Sequence, residues 1–391
     1  MAYLIESEAA NRINQVRTIL NARNLDLALI YYDEFNIGNG WYMTGWCPQF
    51  ESGAVLIPRN GEPLLLGGPE SEPFAKQDSA IKNTRNFPVF MVPDEEYPNA
   101  TIIDFPKLFA ELNSTIGKVT RVGIVGGDRM PHACYMGIAE GFAGAELVDI
   151  SEDFLRLRYF KSAWEAEQIA KAFALADHSF EAMTAAVKTG VSEIEIAAAG
   201  EYAARSRGAN SFGFSAIVGS GKRANAVVPT ASSKKLEDGE LVMLGLSPKW
   251  QGYAGVFGDT VPASGVYTQR QKDCINHLRE AFRLTKSMLQ VGKSGREIDV
   301  PGREYFAKHG LLPYLVCPFA HTIGLQEAEA PFFGPNSDDV LVPGMTVCVD
   351  VSFFGHPEFN GARIETGYLI TEDGPKPFSP KLDALHTSEL K

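Results

Sequence analysis

Apolar and polar positions along this chain change period several times, and each change marks an element. In residues 7–23, Ile13, Val16, Ile19 and Leu20 recur at helical spacing and predict an amphipathic helix. Short apolar runs at 27–32, 54–57, 63–66 and 122–125 then follow strand patterns, with Gly61 as a turn between two of them. Helix, strand, strand pair, helix and strand in that order predict an α/β layer arrangement. The segment GNGWYMTGW, 38–46, sets three aromatics among glycines and reads as core or as the mouth of a pocket. Residues 91–107, rich in proline and acid, read as an exposed loop.

The pattern lengthens after residue 150. Ser162-x-x-Glu165 has the form of a capping box and opens a long helix predicted to about Lys188. A second helix starts at Gly190-Val-Ser192-Glu-Ile-Glu195 and stops at Gly208. The arrangement then returns. Thr268-x-x-Gln271 opens a long helix, and Gly292-Lys-Ser294-Gly-Arg-Glu297 starts another that ends at Gly310. Shifted by 102 positions, Gly190, Ser192, Glu195, Ile196, Gly200 and Gly208 fall on Gly292, Ser294, Glu297, Ile298, Gly302 and Gly310. A repeat of this length is a duplicated half-domain rather than a solenoid. Each half reads as two helices and a strand hairpin, 215–218 with 241–246 and then 346–351 with 368–371. Paired, the halves predict one mostly antiparallel sheet with helices outside and a ligand cleft between them.

Composition narrows the function classes. At 391 residues two domains are the natural expectation, and the boundary is placed at 155/156. The net charge of −12 speaks against a nucleic-acid surface and against anionic membranes. Five scattered cysteines without CxxC spacing predict reduced thiols. No basic and apolar leader opens the chain, and no apolar run is long enough for a membrane helix. A cytoplasmic protein acting on a small molecule is expected.

Candidate chemistry gathers between residues 317 and 375. His321 precedes an apolar triplet, Asp350 interrupts the run 346–351, and Glu365 follows Arg363 and Ile364 ahead of the run 368–371. An ionisable group inside a strand is costly unless it is paired or used. Glu327 and Glu329 are two apart and would share a face on a strand. Cys317 and Cys348 read as small apolar core residues.

The stretches HTIGLQEAEAP, LVPGMTVCVD, GARIETGYLITEDG and GELVMLGLSPKWQGYAGVFGDT resemble the closing and central motifs of the creatinase/prolidase/aminopeptidase P superfamily, the M24 peptidases. The resemblance implies a C-terminal pita-bread domain of α/β (α+β) class, with a pseudo-twofold repeat and a curved, mostly antiparallel sheet. It also implies a smaller N-terminal creatinase/prolidase-type α/β domain, giving domains 1–155 and 156–391, and a homodimer. In the superfamily's peptidases two metal ions are held by two Asp, one His and two further carboxylates. Matched by position, His321, Asp350 and Glu365 keep three of these places, while Gly245 and Val256 stand where the two Asp belong. Val228 and Ala328 stand where two further His belong.

On that resemblance the expectation is a creatinase-like, metal-independent hydrolase of C–N bonds in a small nitrogen-rich metabolite, with no cofactor. His321 would move the proton, Glu365 and Asp350 would act with it, and Glu327, Glu329, Arg363, Tyr253 and Asp259 would bind substrate. Three alternatives stand beside it: a metal-dependent Xaa-Pro peptidase, a non-catalytic binding module, and a lyase.

Overall fold

The computed structural model describes residues 4–391. The chain divides into two compact units, one running to Arg158 and the other from Tyr159 to Lys391.

The first unit opens with the helix α1 (Glu6–Arg23), which buries Val16 and Leu20 as its spacing requires. A six-stranded sheet follows, built from β1 (Leu27–Tyr32), β2 (Gly53–Pro58), β3 (Leu64–Gly67), β4 (Thr84–Asn86), β5 (Arg121–Val125) and β6 (Glu146–Asp149). Its order is β4-β3-β2-β1-β5-β6. β1 runs parallel to β5 and antiparallel to β2. Both faces of β1 and β2 are covered, which is why every residue of these strands is apolar, small or aromatic and buried. The aromatic and glycine segment becomes the helix α2 (Ile37–Thr44), whose Trp41, Tyr42 and Met43 are buried. Tyr42 meets Phe154 edge-on, and the Arg12 guanidinium lies 4.4 Å from its ring centre. The helices α3 (Glu72–Asp78), α4 (Phe105–Thr115), α5 (His132–Gly141) and α6 (Ser151–Arg156) complete the unit.

The second unit carries the repeat. The helices α7 (Ala163–Ala186) and α8 (Glu193–Arg205) form its first pair, α9 (Gln269–Ser287) and α10 (Gly295–Lys308) its second. All four begin with a complete capping box, at Ser162/Glu165, Ser192/Glu195, Thr268/Gln271 and Ser294/Glu297. Each box satisfies orphan N–H groups at a helix start, so the helix begins at a defined residue. Gly190 and Gly292, at equivalent places before the second helix of each pair, both have φ of 88°, where a Cβ would be strained. Their N–H groups make matching bonds as well, to the carbonyls of Leu236 and Leu341.

The strands form one large sheet: β8 (Ile217–Ser220), β9 (Leu241–Leu246), β12 (Phe257–Pro262), β13 (Ala320–Thr322), β14 (Glu329–Phe333), β15 (Thr346–His356), β16 (Asn360–Thr371) and β17 (Gly374–Pro377). The order is β14-β13-β15-β16-β12-β9-β8, with β17 against β16, and every pairing is antiparallel. A small side sheet joins β7 (Ser211–Phe212), β10 (Pro248–Trp250) and β11 (Tyr253–Ala254). The short helix α11 (Pro380–Thr387) closes the chain. The halves meet where β12 pairs with β16 at Gly258 and Glu365. One sheet face packs on the helices through Leu244, Leu246, Phe257, Val349, Val351 and Ile364. The other carries the candidate chemistry. β15 and β16 are longer than the apolar runs suggest, so Glu365 lies inside a strand rather than before one. Among the described residues no helix is long and apolar enough to cross a membrane.

Candidate active site

Register and alternation decide which side chains meet. Directly paired residues share a sheet face, and residues two apart on a strand share it too. Gly245 pairs with Gly258, Gly258 with Glu365, Glu365 with Asp350, and Cys348 with His321. One row across the sheet therefore brings His321, Cys348, Asp350, Arg363 and Glu365 to the same face.

Two interactions organise the group. Arg363 takes Asp350 in a bidentate pair, with Nε donating to Oδ1 at 2.8 Å and Nη2 donating to Oδ2. Its Nε also lies 3.4 Å from Glu365 Oε2. His321 is the second centre, with Nε2 3.5 Å from Glu365 Oε1 and 3.8 Å from Glu327 Oε1, and Nδ1 3.0 Å from the Thr322 carbonyl oxygen. Glu327 lies on the turn before β14. That turn is fastened from below: the Ala254 N–H donates to the Gly324 carbonyl, and the buried Lys249 ammonium donates to that of Leu325. Glu365 is fully buried, and neither of its oxygens has a hydrogen-bond partner; Glu327 Oε1 has none either. Such buried orphan acceptors are rare and call for a ligand or a function.

Charge in this enclosed space shifts the titrating groups. Burial acts to lower the His321 pKa, but the close approach of Glu365 and the charges of Glu327, Glu365 and Asp350 lift it to about 9. Glu327 is pushed up to about 7 by burial and by the Glu365 charge, with His321 and Arg363 pulling the other way. Burial and the surrounding carboxylates hold the Cys348 thiol protonated, so it is no free nucleophile.

The remaining expected residues lie elsewhere. Asp259 follows Gly258 and so faces the helices, where it sits 3.8 Å from His386 Nε2. Tyr253 donates its hydroxyl hydrogen to Glu165 Oε1 at 2.8 Å and meets Trp164 edge-on. Glu329 pairs at 3.1 Å with Lys161, both fully enclosed. Glu327 and Glu329 reach different partners, Glu327 towards His321 and Glu329 to Lys161. Cys348 is fully buried, as expected of a small core residue, and it shares the site face because it lies two residues before Asp350 on one strand.

The chain matches metallopeptidase family M24 over residues 167–372, more than half its length, and the creatinase/prolidase N-terminal domain over residues 12–160. It belongs to family M24. The uncharacterized peptidase YqhT of Bacillus subtilis is 33% identical over 245 residues, covering 63% of this chain and 69% of that protein. The Xaa-Pro dipeptidase of Pyrococcus furiosus is 28% identical over 339 residues, covering 86% and 90%. Among solved structures, the Xaa-Pro dipeptidase from Bacillus anthracis has a TM-score of 0.80 at 26% identity, covering 95% of this chain and 98% of that one. The prolidase from Pyrococcus horikoshii OT3 superposes with a TM-score of 0.81 over 97% and 99%, a likeness of fold.

These relatives overturn the creatinase-like, metal-independent expectation. This M24 chain is a member of a metallopeptidase family, and the relatives it matches over most of its length include Xaa-Pro dipeptidases. The geometry shows why a creatinase-like scheme fails. It needed several free carboxylates to grip a cationic substrate, but Arg363 already occupies Asp350 and Lys161 already occupies Glu329. It also needed His321 as a base, and its neighbours hold that imidazole protonated near neutral pH.

The two-ion set of the M24 peptidases does not fit these residues either. Gly245 and Val256 carry no ligand atom, and a Cβ on Gly245 would already stand 3.2 Å from the Phe257 carbonyl oxygen. Both Asp350 oxygens are engaged by Arg363. What the face does present is a compact trio: ligand atoms of His321, Cys348 and Glu365 all lie within 4.8 Å of one another.

Proposed function

We propose that this M24 hydrolase cleaves the amide C–N bond of small peptides, with Xaa-Pro dipeptides as the substrates of first choice. The observation that carries the reading is the alignment of both units with an Xaa-Pro dipeptidase, 86% of this chain and 90% of that one. A second support is the sheet face itself, which gathers His321, Glu327 and Glu365 around unpartnered carboxylate oxygens.

The roles follow from placement. Glu327 is the most exposed carboxylate of the group, with 13% of its side chain accessible against none for Glu365. It can take a proton from an attacking water and return it to the leaving nitrogen, as a general base and then a general acid. His321 is held by the Thr322 carbonyl so that Nε2 faces the reacting space beside Glu327 and Glu365. Glu365, anchored between His321 and Arg363, would orient both.

Purified full-length protein incubated with Gly-Pro, Ala-Pro and Leu-Pro, with zinc, cobalt or manganese supplied, should release free proline. Creatine and ectoine in parallel should stay intact. Absence of proline release from a protein with native circular dichroism under every metal condition would overturn the reading.

A further inference from the structure

We propose that His321, Cys348 and Glu365 form a binding site for a single divalent transition-metal ion, with a nitrogen, sulfur and oxygen ligand set, in place of a two-ion centre. The proposal concerns ion binding and stands whether or not a peptide is the substrate.

Three observations carry it. The first is distance. The three ligand atoms lie within 4.8 Å of one another, and His321 Nε2 to Glu365 Oε1 is 3.5 Å, close to the ligand-to-ligand edge of a tetrahedral site with bonds of roughly 2.0–2.3 Å. The second is orientation. His321 Nδ1 bonds the Thr322 carbonyl oxygen, the outer contact that fixes the ring of a metal-bound histidine and turns its other nitrogen to the ion. The third is unmet demand. Glu365 is fully buried and both its oxygens lack a hydrogen-bond partner, and Glu327 Oε1 beside them also lacks one. Arg363 makes its hydrogen bonds to Asp350 and only approaches Glu365 Oε2, at 3.4 Å, so a divalent ion would balance the remaining charge of the two glutamates between which His321 stands.

The ligand set chooses the metal. A thiolate and an imidazole suit zinc, cobalt or ferrous iron, and disfavour magnesium or calcium, which prefer oxygen ligands. A second ion has nothing to hold it, because the paired positions on the neighbouring strands are Gly245 and Gly258, and Val256 is apolar. Cys348 is the distinguishing member. The ion would bind it as the thiolate, and the fourth position would fall to water or to Glu327.

The test is a titration of chelator-stripped full-length protein with cobalt(II), followed by calorimetry and absorption. One equivalent per chain should bind, with a thiolate-to-cobalt charge-transfer band in the near ultraviolet. Cys348→Ser should abolish the band and weaken binding on the order of tenfold or more, while Cys317→Ser keeps both. Zinc-loaded wild type, which needs no variant to fold, should show one sulfur scatterer at about 2.3 Å by X-ray absorption. No binding, two equivalents per chain, a band that survives Cys348→Ser, or zinc without a sulfur neighbour would each overturn the proposal. None of these readouts depends on peptide turnover, so failure here leaves the substrate reading to its own assay.

Discussion

The two halves of the C-terminal unit share their scaffold and differ in their chemistry. Each opens its helices with capping boxes, turns at a glycine with φ of 88°, and sends antiparallel strands into one sheet. On the site face, however, β8, β9 and β12 contribute Ile217, Met243, Gly245, Gly258 and Thr260, none of them ionisable, while β13, β15 and β16 contribute His321, Cys348, Asp350, Arg363 and Glu365. The scaffold is held by backbone requirements that any functional variant must meet. The site face has no such requirement, so one half can go without ionisable groups while the sheet persists. At the helix starts the asymmetry is reversed. Glu193 of the first half is a fully buried clamp, accepting from the backbone and hydroxyl of both Ser220 and Ser232 and from Arg223. Its counterpart in the repeat is Gly295.

The sharpest way to break this comparison is to remove a charge from the second half. Asp350→Ala leaves Arg363 buried without its bidentate partner and should cost about 3–5 kcal/mol in urea unfolding. A loss below about 1 kcal/mol would mean that the pair is solvated rather than enclosed. Glu327→Gln should lower kcat for Gly-Pro by on the order of 10²–10⁴ while leaving the thermal midpoint near that of wild type. An unchanged kcat would move the proton-transfer role elsewhere.

Glu193→Gln tests the first half and should cost about 1–3 kcal/mol through donors left mismatched. Burial acts to raise the Glu193 pKa, but the hydrogen bonds from Ser232 and Ser220 and the Arg223 pair outweigh it, so the value is lowered. A carboxylate whose folded pKa is depressed stabilises fully above its unfolded value of roughly 4.3 and loses that contribution as pH falls through the folded value. Stability curves of wild type and Glu193→Gln should therefore converge in acid below that point; parallel curves would rule out the charge as the source. The smallest effect tests equivalence. Ser192→Ala and Ser294→Ala each remove a cap and should each cost about 1 kcal/mol, and a clear inequality would show that the two helix starts are not interchangeable.

Much of the architecture was legible because it rests on local rules. Helix periods, S-x-x-E boxes and glycines ahead of helices are short-range signals, and a 102-residue shift lays one half on the other without reference to any contact. The motifs in the closing strands likewise placed His321, Asp350 and Glu365 in one region. Alternation alone could have turned Asp259 away from Glu365, once the pairing of Gly258 with Glu365 was known, but that pairing is a long-range fact.

By itself, then, the sequence determined where helices start, how the unit is duplicated, and which ionisable groups enter strands, since propensity, capping and apolar period act within a few residues. Only the tertiary structure decided the partners. It gave Asp350 to Arg363, Glu329 to Lys161 and Tyr253 to Glu165, and left Glu365 and Glu327 converging on His321 beside Cys348. The physical reason is that a buried charge is defined by what lies within a few ångströms of it, and strand register across the sheet sets those neighbours.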